Sequence, residues 1–273
     1  IRGYRKAAEK AVQILNDMAI EVDAHDADVL KNVAMTAMRV KSVANEHLAD
    51  IAVRAAKQVA KKQGGTYFVD KKKIQVLKKK GQGLLESELI QGIMLEKEIA
   101  HPNMPKKVEN AKIALLDCWL KFSQKQSFRR ELKIQLVAPE QVKEFRNTLI
   151  ETSREIAKKI VASGANVVFC TKVIDEYVNH FLAKAKVLAA DRLVKNDFEL
   201  LAEATGGRIV SDLDDLTSDK LGWAASVEGR KIHDSEVVFV EGCSKLKSIS
   251  VLIRGGADYI VSEAERAFHD AVS

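Results

Sequence analysis

A chain of 273 residues with 47% hydrophobic and 30% charged side chains can build one large core or two ordinary ones, which excludes an intrinsically disordered segment. Its net charge of +6 is concentrated in one stretch rather than spread along the chain. No run of about eighteen apolar residues occurs and the first residues lack a charged-then-apolar signal pattern, so neither membrane insertion nor secretion is expected. Cys118, Cys170 and Cys243 are odd in number, widely spaced and set in apolar runs. They read as buried thiols of a reducing compartment, the cytoplasm, because a metal site would need close pairs such as C-x-x-C.

From Ile1 to Val22, apolar residues recur at Tyr4, Ala8, Ala11, Val12, Leu15, Met18 and Val22, which predicts a long amphipathic helix. A second helix is expected after the N-cap candidate Asp26, burying Leu30, Val33, Ala34 and Ala37. A third should run from about Asn45, burying Leu48, Ile51, Ala52, Ala55 and Val59, until Gly64-Gly65 stops it. The first part therefore reads as all-α. After Thr66 the period falls from 3.6 to 2, most clearly at Leu89, Gln91, Ile93 and Leu95, and a domain boundary is placed near Gly92. His101 to Pro105, with prolines at 102 and 105, must be a rigid loop.

Beyond that loop, strand candidates (Ile113 to Leu116, Val167 to Cys170, Val187 to Leu193, Arg208 to Ser211) alternate with helices (Ile174 to Lys184, Phe198 to Thr205). That alternation predicts βαβ units around a largely parallel sheet. Between them, residues 122–160 are polar and charged. A helix opens there near Pro139, with a narrow apolar stripe at Val142, Phe145 and Leu149. The end of the chain reads as a strand from Ser248 to Ile253, a turn at Gly255-Gly256, and a helix whose buried stripe is Ile260, Val261, Ala264, Phe268 and Val272. Asp270 lies off that stripe, in a polar row with Glu263 and Arg266, so Arg266 is its expected ionic partner.

Lys57, Lys61, Lys62, Lys71, Lys72, Lys73, Lys78, Lys79 and Lys80 account for much of the positive charge, with Tyr67 and Phe68 among them. Such a cluster can meet a phosphate backbone, and a nucleic-acid-binding module using residues 57–80 is the alternative function. The alternating Ile74-Gln75-Val76 between the lysines, and the lack of a nucleic-acid motif, favour a solvated face. No G-x-x-x-x-G-K-[ST] phosphate loop occurs. His25, His47, His101, His180, His233 and His269 never fall at metal-ligand spacing, so no metal site is expected.

The string LIRGGADYIVSEAERAFHDAV resembles a segment of group II chaperonins, the family of the archaeal thermosome. IRGYRKAAEKAVQIL, HPNMPKKVENAKIALLD, SGANVVFCTK, LAEATGGRIVSDLDDLT and VEGRKIHDSEVVFVEGC resemble further segments of the same family, in the same order. The resemblance implies an α/β plus all-α fold, in which an apical α/β domain with a helical protrusion is inserted into a mainly helical intermediate domain. It places the remnant of an equatorial exit helix at 1–25, the first half of the intermediate domain at 26–91, the apical domain at 92–246 with its protrusion at about 122–160, and the second half of the intermediate domain at 247–273.

By the same resemblance the intact protein would be an ATP-dependent chaperone using ATP and Mg, with homologous subunits in a double ring. No nucleotide is expected on this chain alone, because the equatorial ATP-binding domain is largely missing from it, and no ATPase activity is expected of it. Asp270 matches the carboxylate that assists ATP hydrolysis. Lys41 matches a nucleotide-sensing lysine, although Val40 and Ser42 replace the two glycines that flank it in the family, and β-branched valine resists the positive φ that glycine allows. Phe122, Phe128, Leu132, Phe145 and Leu149 on the protrusion, with Ile174, Tyr177, Phe181 and Lys184 on a cavity-facing helix, are the residues expected to hold non-native protein clients.

Overall fold

The computed structural model describes residues 2–20, 23, 26–64, 66–121, 139–232, 235–243 and 249–273. Helix α1 (Arg2–Met18) is the amphipathic helix foreseen in the sequence, but it buries none of its residues. It stops at Met18, short of the expected Val22, which lies outside the described residues. Helix α2 (Ala27–Met38) begins where Asp26 accepts hydrogen bonds from the amides of Asp28 and Val29, satisfying two donors of the first turn. Asn45 does the same for Leu48 at the start of α3 (Glu46–Val59).

Gly64 does not end α3, as its sequence position suggested. The helix stops at Val59 and the chain continues directly into a hairpin, β1 (Ala60–Gln63) and β2 (Thr66–Val69), in which Gly64 takes the left-handed conformation of the turn. The next strand, β3 (Ile74–Lys80), pairs in parallel with β12 (Ile249–Gly255), and β12 pairs antiparallel with β4 (Glu88–Ile90). Residues far apart in the sequence thus complete one small sheet. The last helix, α7 (Asp258–Val272), packs with α2 and α3 on one face of it. Met38, Leu48, Ile51, Ala55, Ile249, Val251, Ile253, Ala264 and Phe268 form that core.

A second, larger sheet follows the order β5 (Gly92–Leu95), β11 (Ser235–Cys243), β10 (Gly222–Ile232), β6 (Lys107–Leu116), β7 (Val167–Cys170), β8 (Leu188–Ala190), with β9 (Ile209–Val210) also pairing with β6. The βαβ alternation in the sequence is present, but the sheet is mixed rather than largely parallel. The pairings β6–β7, β7–β8 and β6–β9 are parallel, and β5–β11, β11–β10 and β10–β6 are antiparallel. The antiparallel half comes from the long β10–β11 hairpin, which joins adjacent strands without a crossover helix. Helix α6 (Lys195–Thr205), closed by left-handed Gly206, covers one face. Helices α4 (Pro139–Ala162) and α5 (Glu176–Lys184) cover the other. Helices around a small sheet, joined to an α/β lobe, make the chain α/β plus all-α.

Gly92 lies where the two sheets meet. A Cβ at this position would fall 2.0 Å from the carbonyl oxygen of Val240, so only glycine lets β5 approach β11.

Candidate functional site

Helix α7 begins just after the Gly255-Gly256 turn, and its buried stripe of Val261, Ala264, Ala267 and Phe268 fixes which side chains face outwards. Ile260 and Val272, also expected on that stripe, pack against the core as partly buried residues. Glu263 and Asp270 project from the same side, two turns apart. The turn between α2 and α3 brings Lys41 over them: its ammonium lies 3.5 Å from Asp270 Oδ2 and 3.8 Å from Glu263 Oε1. Arg266 pairs with Glu263, at 3.6 Å, and not with Asp270 as the helical spacing implied. Lys41 takes the place of Arg266 because the tertiary fold supplies a closer cation than the helix does.

Val40 and Ser42 leave this turn undistorted. Neither has a positive φ, and the turn closes through hydrogen bonds from Lys41 N to Met38 O, 2.8 Å, and from Ala44 N to Lys41 O, 3.2 Å. The conformation requires no glycine, and Val40 points almost wholly into solvent. Met38 and Phe268, both fully buried, anchor the turn and the helix in the common core.

This corner offers a half-exposed carboxylate beside an ammonium, a pair able to orient a polar ligand or accept a proton from it. It lacks the glycine-rich cradle of backbone amides that a nucleotide triphosphate requires, and no cluster of three or more His, Cys, Asp or Glu side chains suited to a metal occurs among the described residues.

A second concave surface lies between α4 and α5. Arg154, Ala157, Lys158, Val161, Ala162 and Phe181 line a groove of about 340 Å³. Phe181 is half-buried, and the Arg154 guanidinium lies 5.2 Å from its ring centroid. Of the other residues expected to hold clients, Tyr177, Phe145 and Leu149 are half-buried and Lys184 is exposed. Ile174 is a correction: at 3% exposure it belongs to the core beneath α5, its segment bridged to Leu120, and it offers no surface. Phe122, Phe128 and Leu132 lie outside the described residues. Arg154 and Val161 were missed, since neither falls on the narrow stripe of Val142, Phe145 and Leu149. Val161 is an exposed apolar residue off the buried face, recognisable only once the facing helix is known.

The lysine-rich stretch is not a uniformly solvated face. Lys73 pairs with Glu203, Lys78 with Glu265 at 2.8 Å, Lys79 with Glu96, and Lys80 with Asp258 at 3.6 Å, while Lys62 lies over the Tyr67 ring. Lys73, Lys78, Lys79 and Lys80 are thus engaged by carboxylates distant in the sequence.

The three cysteines are free thiols, with Cys170 and Cys243 buried and Cys118 partly so. Burial pushes Cys170 up to about 12 and Cys118 and Cys243 up to about 11, so all three are protonated near neutrality. Among the described residues, no helix is long and apolar enough to cross a membrane.

The whole chain, residues 1–273, matches the TCP-1/cpn60 chaperonin family. It is 46% identical to a thermosome subunit beta of Desulfurococcus mucosus, over 100% of this chain and 54% of that protein, and 44% identical to a thermosome subunit of Methanopyrus kandleri, over 99% and 50%. The chain spans about half the length of these curated relatives. Among solved structures it resembles an open-state monomer of a group II chaperonin from Methanococcoides burtonii, with a TM-score of 0.77 and 34% identity over 99% of this chain and 61% of that one. A match along its entire length shows that this chain belongs to the TCP-1/cpn60 chaperonin family.

Proposed function

We propose that the chain is the hinge and client-holding part of a group II chaperonin, an ATP-dependent machine that captures non-native proteins and encloses them for folding. The observation that carries this reading is the groove between α4 and α5, where Val161 and Phe181 offer apolar surface within a rim of Arg154 and Lys158. Non-native chains display hydrophobic surface without a fixed shape. A shallow apolar groove binds such surface non-directionally, while the surrounding charge keeps the holder soluble. Phe145, Leu149, Tyr177 and Lys184, on the same two helices, and Phe122, Phe128 and Leu132 are assigned to client holding by family resemblance.

In the proposed organisation, 26–91 and 247–273 form the intermediate domain, 92–246 the client-binding domain with its protrusion at about 122–160, and 1–25 the remnant of the helix leading to an ATP-binding domain. The exposed apolar side chains of α1, among them Tyr4, Leu15 and Met18, support that last assignment, because such a helix needs a cover. Asp270 is assigned the orientation and deprotonation of the water that attacks ATP held elsewhere in the intact protein, with Lys41 as the neighbouring cation that senses the nucleotide. Mg and ATP belong to the intact double ring of homologous subunits, acting in the cytoplasm. The three free thiols fit a reducing compartment.

The test is suppression of aggregation of a chemically unfolded model protein by this chain. The chain should suppress it, and Phe181→Asp together with Val161→Asp should abolish the effect while the chain stays folded at the assay temperature, some stability being lost because Phe181 packs against the core. Unaltered suppression by the double variant would overturn the assignment. Steep salt-dependent binding of DNA or RNA without client capture would favour the basic-module alternative.

A further inference from the structure

The small sheet has two different faces, and strand β3 displays both. Ile74 and Val76 point into the core shared with α2, α3 and α7, and Lys78 and Lys80 on the same side reach Glu265 and Asp258 of α7. Gln75, Leu77 and Lys79 point the other way, towards the α/β lobe. The partner strand β12 repeats the pattern: Ile249, Val251 and Ile253 join the helical core, while Ser250 and Leu252 face the α/β lobe.

On that second face the contacts divide into two kinds. Leu77 and Leu252 join Ile90, Met94, Ile232, Val237 and Phe239 in a buried apolar cluster that welds the small sheet to β5, β10 and β11. Beside this weld, a cleft of about 590 Å³ opens between β3, α6 and α7, with Gln75, Val76, Asp197, Leu200, Glu265 and His269 among its walls. Two polar pairs reach α6, one from β3 and one from the single turn before it. Lys73, in that turn and almost fully buried, reaches Glu203, and Gln75 Nε2, at the cleft, donates to Asp197 Oδ1 at 3.1 Å. The Gln75 amide is locked in orientation, because its Oε1 lies 2.9 Å from the Ser250 hydroxyl and accepts from Met94 N at 3.3 Å. Lys79, nearer the weld, is held by Glu96 and by Ser235 at 2.8 Å.

We propose that Lys73–Glu203 and Gln75–Asp197 form a releasable latch that sets the angle of α6 and its lobe about the apolar weld, so that movement of α7, carried by β3, reaches α6. A latch differs from a permanent brace in what its opening exposes. Parting α6 from β3 would uncover Gln75 and Asp197, which line a cleft already open to water, together with the single Lys73–Glu203 ion pair, whereas parting the weld would expose seven buried apolar side chains. Glu203, with 41% of its side chain exposed, can be rehydrated at small cost. Lys73 gives the closed position its preference, since it lies in a buried setting where Glu203 is its anionic partner. Lys78 and Lys80 tie the opposite side of β3 to α7, which makes the strand a two-sided coupling between the helix bearing Asp270 and the helix covering the large sheet. The proposal stands on this geometry and does not depend on a catalytic role for Asp270.

The experiment measures the distance between spin labels at Lys195→Cys on α6 and Tyr259→Cys on α7 in the full chain, with Cys118→Ala to keep labelling specific. The otherwise unaltered sequence should give one narrow distribution. Glu203→Lys should broaden it and move it to longer distances, and the exchange Lys73→Glu with Glu203→Lys should restore it. Asp197→Ala, which removes the second pair at a half-buried position, should broaden it independently and keeps the proposal testable if the exchanged protein does not fold. Distributions for Glu203→Lys and Asp197→Ala matching the parent, or a well-folded exchange that fails to restore the narrow form, would overturn the latch.

Discussion

Lys41, on the turn between α2 and α3, sits 3.5 Å from the carboxylate of Asp270, a residue 229 positions later in the chain and on a different helix. The pair is partly solvent-exposed, with side-chain exposures of 21% and 51%, so it contributes at most about 1 kcal/mol to stability. Such a contact explains little of the fold, and the roles proposed for Asp270 and Lys41 give it a test. In the intact chaperonin, Asp270→Ala should leave ATP binding in place and remove most turnover. Lys41→Met should also reduce turnover while shifting the melting temperature of this chain by no more than a few degrees. Turnover and nucleotide affinity measured side by side decide it: full turnover in Asp270→Ala would remove that residue from the reaction.

Phe268 is the structural counterpart of Asp270, two residues earlier on α7 and fully buried among α2, α3 and β12. Its truncation to alanine should cost about 3–5 kcal/mol, read as a lower urea midpoint, because it removes a ring from a packed core and leaves a cavity. The same variant should lower turnover of the intact protein indirectly, by loosening the helix that holds Asp270. A midpoint within about 0.5 kcal/mol of the parent would show that α7 is not held as described.

Much of this was legible from periodicity and caps. Asp26 and Asn45 marked helix starts because their side chains can satisfy first-turn amides, and 3.6-residue spacing placed Val261, Ala264 and Phe268 on the buried face of α7, although it omitted Ala267 and assigned to the buried face of α2 both Val33 and Ala37, which are exposed. The partner of Asp270 was not legible, since spacing reports neighbours on one helix and Lys41 arrives through tertiary packing. The two-sided character of β3 was hidden for the same reason. A run rich in lysine reads as solvated until the carboxylates of α6 and α7 are brought against it. The sheet was expected to be largely parallel because β6, β7 and β8 alternate with helices, whereas the long β10–β11 hairpin carried no equally strong periodic signal. Ile174 was misplaced because it was assigned to the cavity-facing helix, whereas α5 begins at Glu176 and Ile174 precedes its cap Asp175, bridged to Leu120 in the core.

Gly92 gives a sharp test of how the two sheets meet. The atom that an alanine Cβ would strike is the backbone oxygen of Val240, and a strand in the middle of β10–β11–β5 pairing cannot shift without breaking its ladder. Gly92→Ala should therefore destabilise the chain by at least the ~1–3 kcal/mol typical of overpacking. Gly256, with no atom near its Cβ position, is the matched control, and Gly256→Ala should be far milder. Equal denaturation midpoints for the two variants would contradict the close approach.

The buried thiols predict how stability responds to alkali. Burial raises Cys170 from 9.0 to about 12 and Cys118 and Cys243 to about 11, so the folded chain keeps protons that the unfolded chain releases above pH 9. Between pH 9 and the raised values the unfolded state binds fewer protons than the folded one, and stability must fall as pH rises through that window. Below pH 9 the contribution is fully present and constant. Cys170→Ala should therefore flatten the alkaline decline in the urea midpoint, by up to about 1.4 kcal/mol per pH unit. It should leave the curve between pH 6 and pH 8 parallel to that of the parent, since the thiol is protonated in both states there. An undiminished alkaline slope in Cys170→Ala would show that the thiol is reached by solvent, and rapid alkylation of Cys170 in the native Cys118→Ala chain at pH 8 would show the same by an independent measurement.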